Sequence, residues 1–255
     1  MNYFNLKNVA ERYSKGRPSF HNNTIEKVKT FLKIDSKIDK ALDVACGTGL
    51  STKVLLHIAR SVYGTDLSIE MLNNASSKDQ INYSISPAEN QPFNDDEFNL
   101  ITVCSGIHWF KIDAFLNEAN RLLKSKSFLI IYDNYFISYM VDVPEFERWF
   151  PDIYLKNFPS PKRNDNYNWS SDNLSSKNFS LLKEESFKNP ISFTKADLIL
   201  YFTTQSNITE AISNGDNYRR IELWLDNELT PFFEDETTVR TINFGNWIKY
   251  IQRNN

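Results

Sequence analysis

Between Lys40 and Asp133 five short apolar runs alternate with amphipathic stretches, and this rhythm restricts the fold more than any other feature of the 255 residues. The runs are 40–45, 61–66, 81–85, 98–104 and 128–132. Each is too short for a helix of ordinary length and is rich in Val, Ile, Leu and Tyr, so each reads as a strand. The fourth, Phe98-Asn-Leu-Ile-Thr-Val-Cys104, is almost continuously apolar, which suits a strand buried on both faces. Leu50, Val54, Leu55 and Ile58 recur at helical spacing, Glu70-Met71-Leu72 opens a second helix, and 113–123 is amphipathic. Strands alternating with helices require βαβ crossovers. The expected class is therefore α/β: a Rossmann-like, doubly wound, mostly parallel sheet with helices on both faces.

Outside this core the pattern is less regular. Residues 8–33 carry a helical pattern with Thr24 as a cap, preceded by a breaker-rich loop from Tyr13 to Phe20. After Asp133 the alternation stops, and 134–180 reads as a helical or loop insertion, or a lid, rich in aromatics and prolines. An edge strand over 179–193, helices over 194–202 and 218–229, and a last strand over 237–244 bring the expected sheet to seven. One domain over 1–255 is expected, with 40–133 as its core.

Composition excludes several function classes. A net charge of −3 and a pI near 5.7 argue against a general nucleic-acid binder, which would carry a basic stripe. No apolar run approaches the roughly 18 residues of a membrane span, and Met1-Asn2-Tyr3-Phe4 has no secretory character. The two cysteines, Cys46 and Cys104, lie in apolar segments and read as reduced cytoplasmic thiols. Neither has metal-ligand spacing.

The chemistry concentrates where the first strand ends in Cys46-Gly47-Thr48-Gly49 and a helix begins. Glycines there allow backbone to approach a ligand at a helix N-terminus, although any tight strand-to-helix turn wants glycine. Asp66 ends the second strand about 20 residues further on, where dinucleotide-type folds place a carboxylate for ribose hydroxyls. It could equally be a helix cap, a task Ser68 could share. Together the two features favour nucleoside binding. A third glycine, which a dinucleotide fingerprint wants three residues after the second, is replaced by Thr52.

These segments resemble class I S-adenosylmethionine-dependent methyltransferases. Leu42-Asp-Val-Ala-Cys-Gly-Thr-Gly49 is similar to their first motif, and Tyr63-Gly-Thr-Asp-Leu-Ser-Ile-Glu-Met-Leu72 to their second. Ser86-Pro-Ala-Glu-Asn-Gln-Pro-Phe93 resembles the segment that lies along adenine. The type 11 group, and within it the trans-aconitate methyltransferase-like branch, is the nearest likeness, carried by Tyr13…Arg17-Pro18, Gly106-Ile-His-Trp-Phe110 and Tyr201-Phe-Thr-Thr-Gln-Ser206. Ala45 departs from the family, which usually has glycine there.

The resemblance implies roles. Ala45, Cys46 and Gly47 would approach the methionyl moiety, Asp66 the ribose, Leu67 and Met71 the adenine face, and Ala88 and Glu89 its edge. Ser105 would lie beside the sulfonium, with Tyr13 and Arg17 closing over the cofactor, although Arg17 also reads as a surface residue. S-adenosylmethionine would be consumed and S-adenosylhomocysteine released, with no metal. The acceptor expected is a small molecule, a carboxylic acid by branch, with Arg148, Arg163, Arg219 and Arg220 as candidate cationic partners. A larger acceptor (quinone precursor, lipid or protein) and a non-catalytic cofactor binder are the alternatives. No nucleic acid or membrane partner is expected, and the chain would be a monomer or homodimer.

Methyl transfer is an in-line displacement in which alignment supplies most of the effect. A hydroxyl or amine acceptor would need a base, and His108, past the fourth strand, is the candidate, with His21 and His57 behind it. His108 and Trp109 could instead wall the acceptor pocket. The aromatics of 146–169 could line that pocket or form a core of their own.

Overall fold

The computed structural model describes residues 7–161 and 166–255. Met1–Phe4 and Arg163 lie outside them. The strands are β1 (Ile38–Val44), β2 (Ala59–Asp66), β3 (Ile81–Ile85), β4 (Phe98–Cys104), β5 (Leu123–Met140), β6 (Phe179–Phe193) and β7 (Arg240–Arg253). The helices are α1 (Lys7–Gly16), α2 (His21–Phe31), α3 (Leu50–Val54), α4 (Ile69–Asn73), α5 (Ile112–Leu122), α6 (Glu145–Trp149), α7 (Leu155–Asn157), α8 (Ser171–Ser175), α9 (Lys195–Thr203), α10 (Ser206–Ser213) and α11 (Tyr218–Leu229). Strand order in the mixed, mostly parallel sheet is β3-β2-β1-β4-β5-β7-β6, which puts β6 at an edge. The described residues form two compact units: 19–134, 166–187 and 246–255 in the first, and 7–18, 135–161 and 188–245 in the second. Among them, no helix is long and apolar enough to cross a membrane.

In the first unit β1 pairs in parallel with both β2 and β4, while β3 lies beyond β2 and β5 beyond β4. The order therefore reverses at β1 and β4, the switch point at which open α/β sheets bind ligands. Alternate residues divide between the sheet faces. Leu42, Val44, Ile101 and Val103 pack with Phe115, Leu116 and Ala119 of α5. Ala41, Leu100 and Val62 pack with Ile25 and Val28 of α2 and with Val54 and Leu55. Every residue of β4 except Asn99 and Cys104 is buried, as expected of a strand covered on both faces.

Several element boundaries need correction. Tyr13–Gly16 belong to α1 instead of a loop. Gly16 is tolerated in that helix because a Cβ there would lie 2.7 Å from the Leu200 carbonyl oxygen, so only glycine lets α1 approach α9 so closely. Thr24 sits inside α2 and not at its start, and its hydroxyl accepts from Asn246 Nδ2 at 3.2 Å. The helix expected to run from Leu50 through Ile58 ends at Val54, followed by a 3-10 turn over Leu55–His57. β5 continues eight residues beyond Tyr132, and β7 runs to Arg253.

The 134–180 stretch begins as strand and then divides between the units. In the second unit Trp149, Phe150 and Tyr154 pack against Phe202, Phe146 packs against Phe232, and Trp224 and Phe232 both lie against Trp149. Trp149 Nε1 donates to Glu228 and the Tyr154 hydroxyl to Asn207, so both polar tips are satisfied within the unit. These aromatics form a core, the alternative to a substrate pocket. Tyr167 and Trp169 belong to the first unit, where the Tyr167 hydroxyl donates to Asp113 at 2.8 Å.

Candidate functional site

The turn after β1 places three residues in the left-handed region: Ala45 (φ +58°), Gly47 (+55°) and Gly49 (+76°). Glycine adopts it freely, whereas an alanine costs roughly 1–2 kcal/mol there. A Cβ at Gly49 would overlap the Tyr83 hydroxyl, which donates to the Ser76 carbonyl. A Cβ at Gly47 would meet no atom within 4 Å, so this backbone faces open space. Gly106, just past β4, lies opposite: a Cβ there would stand 2.9 Å from that of Ala45. The turns after β1 and β4 thus meet at the switch point.

Asp66 holds the glycine turn from the side. Its Oδ2 accepts from Gly47 N and its Oδ1 from Ser68 N, each at 2.8 Å. Burial raises its carboxyl above the ordinary range, against the N–H donors of Ser68, Gly47 and Leu67. Ser68 caps α4 through its own hydroxyl, accepting from Met71 N, so the cap does not need the Asp66 side chain. These contacts leave the carboxylate with spare acceptor positions of the kind that hydroxyl donors fill. Ser86 N donates to the Asp66 carbonyl at 3.0 Å, tying the 86–93 segment to the same strand end.

The other expected contacts distribute unevenly. Leu67 is 59% exposed and Ile85, registered opposite Asp66, is 54% exposed, offering apolar surface beside the carboxylate. Met71 and Ala88 are buried, and Glu89 accepts from Lys111 N at 2.7 Å. Cys46 is buried with its sulfur against Gly64, leaving its backbone to the turn. Burial pushes its thiol well above the usual range, and both cysteines are free. Ser105 (φ +52°) closes β4, and its hydroxyl donates to Asp133 Oδ1. His108 and Trp109 lie on a 3-10 turn with ring centroids 4.8 Å apart, and Trp109 is half-exposed. In the second unit, the Arg17 guanidinium lies over Tyr13 at 4.7 Å and Tyr201 at 5.3 Å, and donates to the Thr204 carbonyl.

Two groups escaped sequence reasoning, Asp43 and Asp133, and the surroundings of a third, His21, were not foreseen. Asp43 is fully buried in β1 and accepts hydroxyls from Ser51 (2.6 Å), Thr52 (2.7 Å) and Thr102 (2.8 Å). Burial pushes its carboxyl up to about 6 despite those donors. An aspartate inside the apolar run Ala41-Leu-Asp-Val44 was the available signal. Asp133 was visible only as the end of a strand. His21 approaches the Tyr132 hydroxyl (3.2 Å) and Cys104 Sγ (3.7 Å) through Nδ1, and its position on α2 gave no hint of this.

The residues at the turn fit a nucleoside with an amino-acid tail. Gly47 presents open backbone, Thr48 Oγ1 is buried without a hydrogen-bond partner, and Asp66 keeps acceptor capacity beside exposed Leu67. Among the described residues no group of three or more His, Cys, Asp or Glu could hold a metal ion.

Residues 42–131 match the family described as the methyltransferase domain, from within β1 to within β5 and across the whole glycine–aspartate arrangement. Those residues resemble a methyltransferase domain. The chain's relatives include a Dictyostelium discoideum protein provisionally named a methyltransferase, 30% identical over 49% of this chain and 46% of its own. The malonyl-[acyl-carrier protein] O-methyltransferase of Bacteroides thetaiotaomicron is 24% identical over 90% of this chain and 88% of its own. Apart from that protein, the chain spans about half the length of the curated relatives it matches. Among solved structures, an Anaeromyxobacter dehalogenans protein provisionally described as a type II methyltransferase superposes with a TM-score of 0.71 at 15% identity, covering 93% of this chain and 97% of its own. The chain thus shares a Rossmann-like fold with that structure. Asp66, Ala88, Glu89 and the Ser105–Trp109 turn all fall inside the matched residues, and Asp133 lies two residues beyond.

Proposed function

We propose that this chain transfers the methyl group of S-adenosylmethionine to a small-molecule acceptor, releasing S-adenosylhomocysteine. The carrying observation is the Asp66 carboxylate anchored on Gly47 N, beside glycine backbone that faces open space. When bound, the cofactor supplies an electrophilic methyl on a sulfonium that is already a good leaving group. The protein's part is placement. Asp66 holds the ribose hydroxyls, Leu67 and Met71 flank adenine, Ala88 and Glu89 meet its edge, and the 45–47 backbone receives the methionyl end. Holding both partners in line supplies most of the rate. For Tyr13 and Arg17 as cofactor contacts, the support is the family resemblance alone. A cytoplasmic, metal-free, monomeric or homodimeric enzyme belongs to the same reading and rests on composition and resemblance.

A carboxylic acid acceptor is supported by the trans-aconitate-like motifs and by the name of the Bacteroides relative. Such an acceptor needs a cationic partner in a dry pocket. Arg60, Arg121 and Arg253, the described arginines of the first unit, are all ion-paired. Arg148, Arg219 and Arg220 are exposed in the second unit. This favours, as a second reading, an acceptor that is not an anion. Calorimetric titration with S-adenosylmethionine, followed by transfer of its labelled methyl to a small-molecule extract, tests the function; a protein that binds no cofactor refutes it.

A further inference from the structure

Asp133 carries a role that the methyltransferase domain does not assign. It stands on β5 at the level of Ser105, one residue past the Cys104–Tyr132 register pair. Ser105, held in the left-handed region with its N–H on the Tyr132 carbonyl, turns its hydroxyl onto Asp133 Oδ1. Gly106, the next residue, is the one pressed against Ala45, so this pair belongs to the same end of the sheet as the glycine turn. Asp133 is only partly buried. Among the described residues Ser105 is its one hydrogen-bond partner, and no cation is within ion-pair distance. A partly buried carboxylate with one oxygen oriented and the other uncommitted repels an anionic acceptor and attracts an atom that bears a proton.

Resting on the methyl-transfer reading, we propose that the acceptor atom is a hydroxyl or amine that carries a proton, and that Asp133 takes that proton. The acceptor's lone pair forms the bond to the methyl carbon while the carbon–sulfur bond breaks and its electron pair stays on sulfur. As the acceptor becomes cationic, its proton passes to the Asp133 carboxylate, which later releases it to water. Balance needs no further reactant. Ser105 is a positioning residue: it orients Oδ1 and leaves the other oxygen for the acceptor.

The test uses the full chain with methyl-labelled S-adenosylmethionine and a deproteinised cell extract as the acceptor source. Labelled products are then treated with mild alkali, which releases methanol from methyl esters and leaves methyl ethers and methylamines intact. Volatility of the label therefore separates carboxylate from proton-bearing acceptors, and acid extraction separates amines from ethers. Alkali-stable label is expected. Asp133→Asn, which preserves the shape and the Ser105 contact, should slow transfer by about 10²–10⁴-fold with unchanged cofactor affinity. Ser105→Ala should lower kcat more than it raises KM. Circular dichroism and the thermal midpoint of each variant establish that it is folded; a variant that fails this is replaced by Asp133→Glu, expected to retain partial activity. Alkali-labile label, or Asp133→Asn at full rate, overturns the proposal. Cofactor binding with no labelled product also overturns it, in favour of a non-catalytic binder. Absence of cofactor binding by the unmodified protein instead refutes methyl transfer itself.

Discussion

Ala45 and Gly106 face each other across the switch point so closely that a second Cβ would stand 2.9 Å from the first. One of the two positions must be glycine, and this chain has placed it at 106. Gly106→Ala should therefore destabilise the protein by about 1–3 kcal/mol through overpacking. Ala45→Gly should be close to neutral, because relief of the left-handed alanine offsets the added freedom of the unfolded chain. The double variant should recover most of the loss, and urea unfolding of all four proteins measures the coupling. Additive losses would mean that the two turns move apart freely.

Asp43 predicts a particular pH dependence. Its buried carboxyl, raised from 3.8 to about 6, binds a proton more tightly folded than unfolded. Stability from this group is therefore fully present below about pH 4 and declines as pH rises through about 6. The difference is worth roughly 3 kcal/mol. Asp43→Asn, whose amide can still exchange hydrogen bonds with the three hydroxyls, should lack this decline. The gap between variant and parent should move in the variant's favour from pH 4 to pH 7 in chemical denaturation. A pH-independent gap would contradict the burial argument.

Asp66→Ala should weaken S-adenosylmethionine binding by about 1.5–3 kcal/mol, the scale of hydrogen bonds to a charged group. Because the carboxylate also holds Gly47 N and Ser68 N, the thermal midpoint should fall as well. Calorimetry at a temperature where both proteins are folded separates the two losses. Unchanged affinity would remove the ribose assignment.

His108→Ala should reduce turnover by less than about tenfold and leave the pH–rate profile in shape. A histidine acting as base would cost about 10²–10⁴-fold and carry away a limb near pH 6.5. The steady-state profile of the variant decides between wall and base.

Legibility in the sequence followed the range of the interactions. β3 and β4 were readable to the residue because alternation or unbroken apolarity is a local property of a buried strand. The ends of β5 and α2 were not. Asn134 reads as a strand terminator until Asn246, 112 residues away, donates to it, and Thr24 reads as a cap until the same asparagine claims its hydroxyl. The site divides the same way. Gly47, Gly49 and Asp66 announce themselves through backbone geometry and position. Asp43 and Asp133 acquire meaning only from Thr102 and Ser105, partners that folding brings from 59 and 28 residues away.

The three hydroxyls on Asp43 have a consequence for anyone who would move this turn to another scaffold. Ser51 and Thr52 travel with a Leu42–Gly49 cassette extended by one helical turn, but Thr102 does not. A graft without it would carry a sealed carboxylate missing one of its donors, and would be expected to loosen at the strand end where the turn begins. The transferable module is thus the β1–β4 strand pair together with the first turn of α3, a discontinuous part whose smallest working copy spans both sides of the crevice.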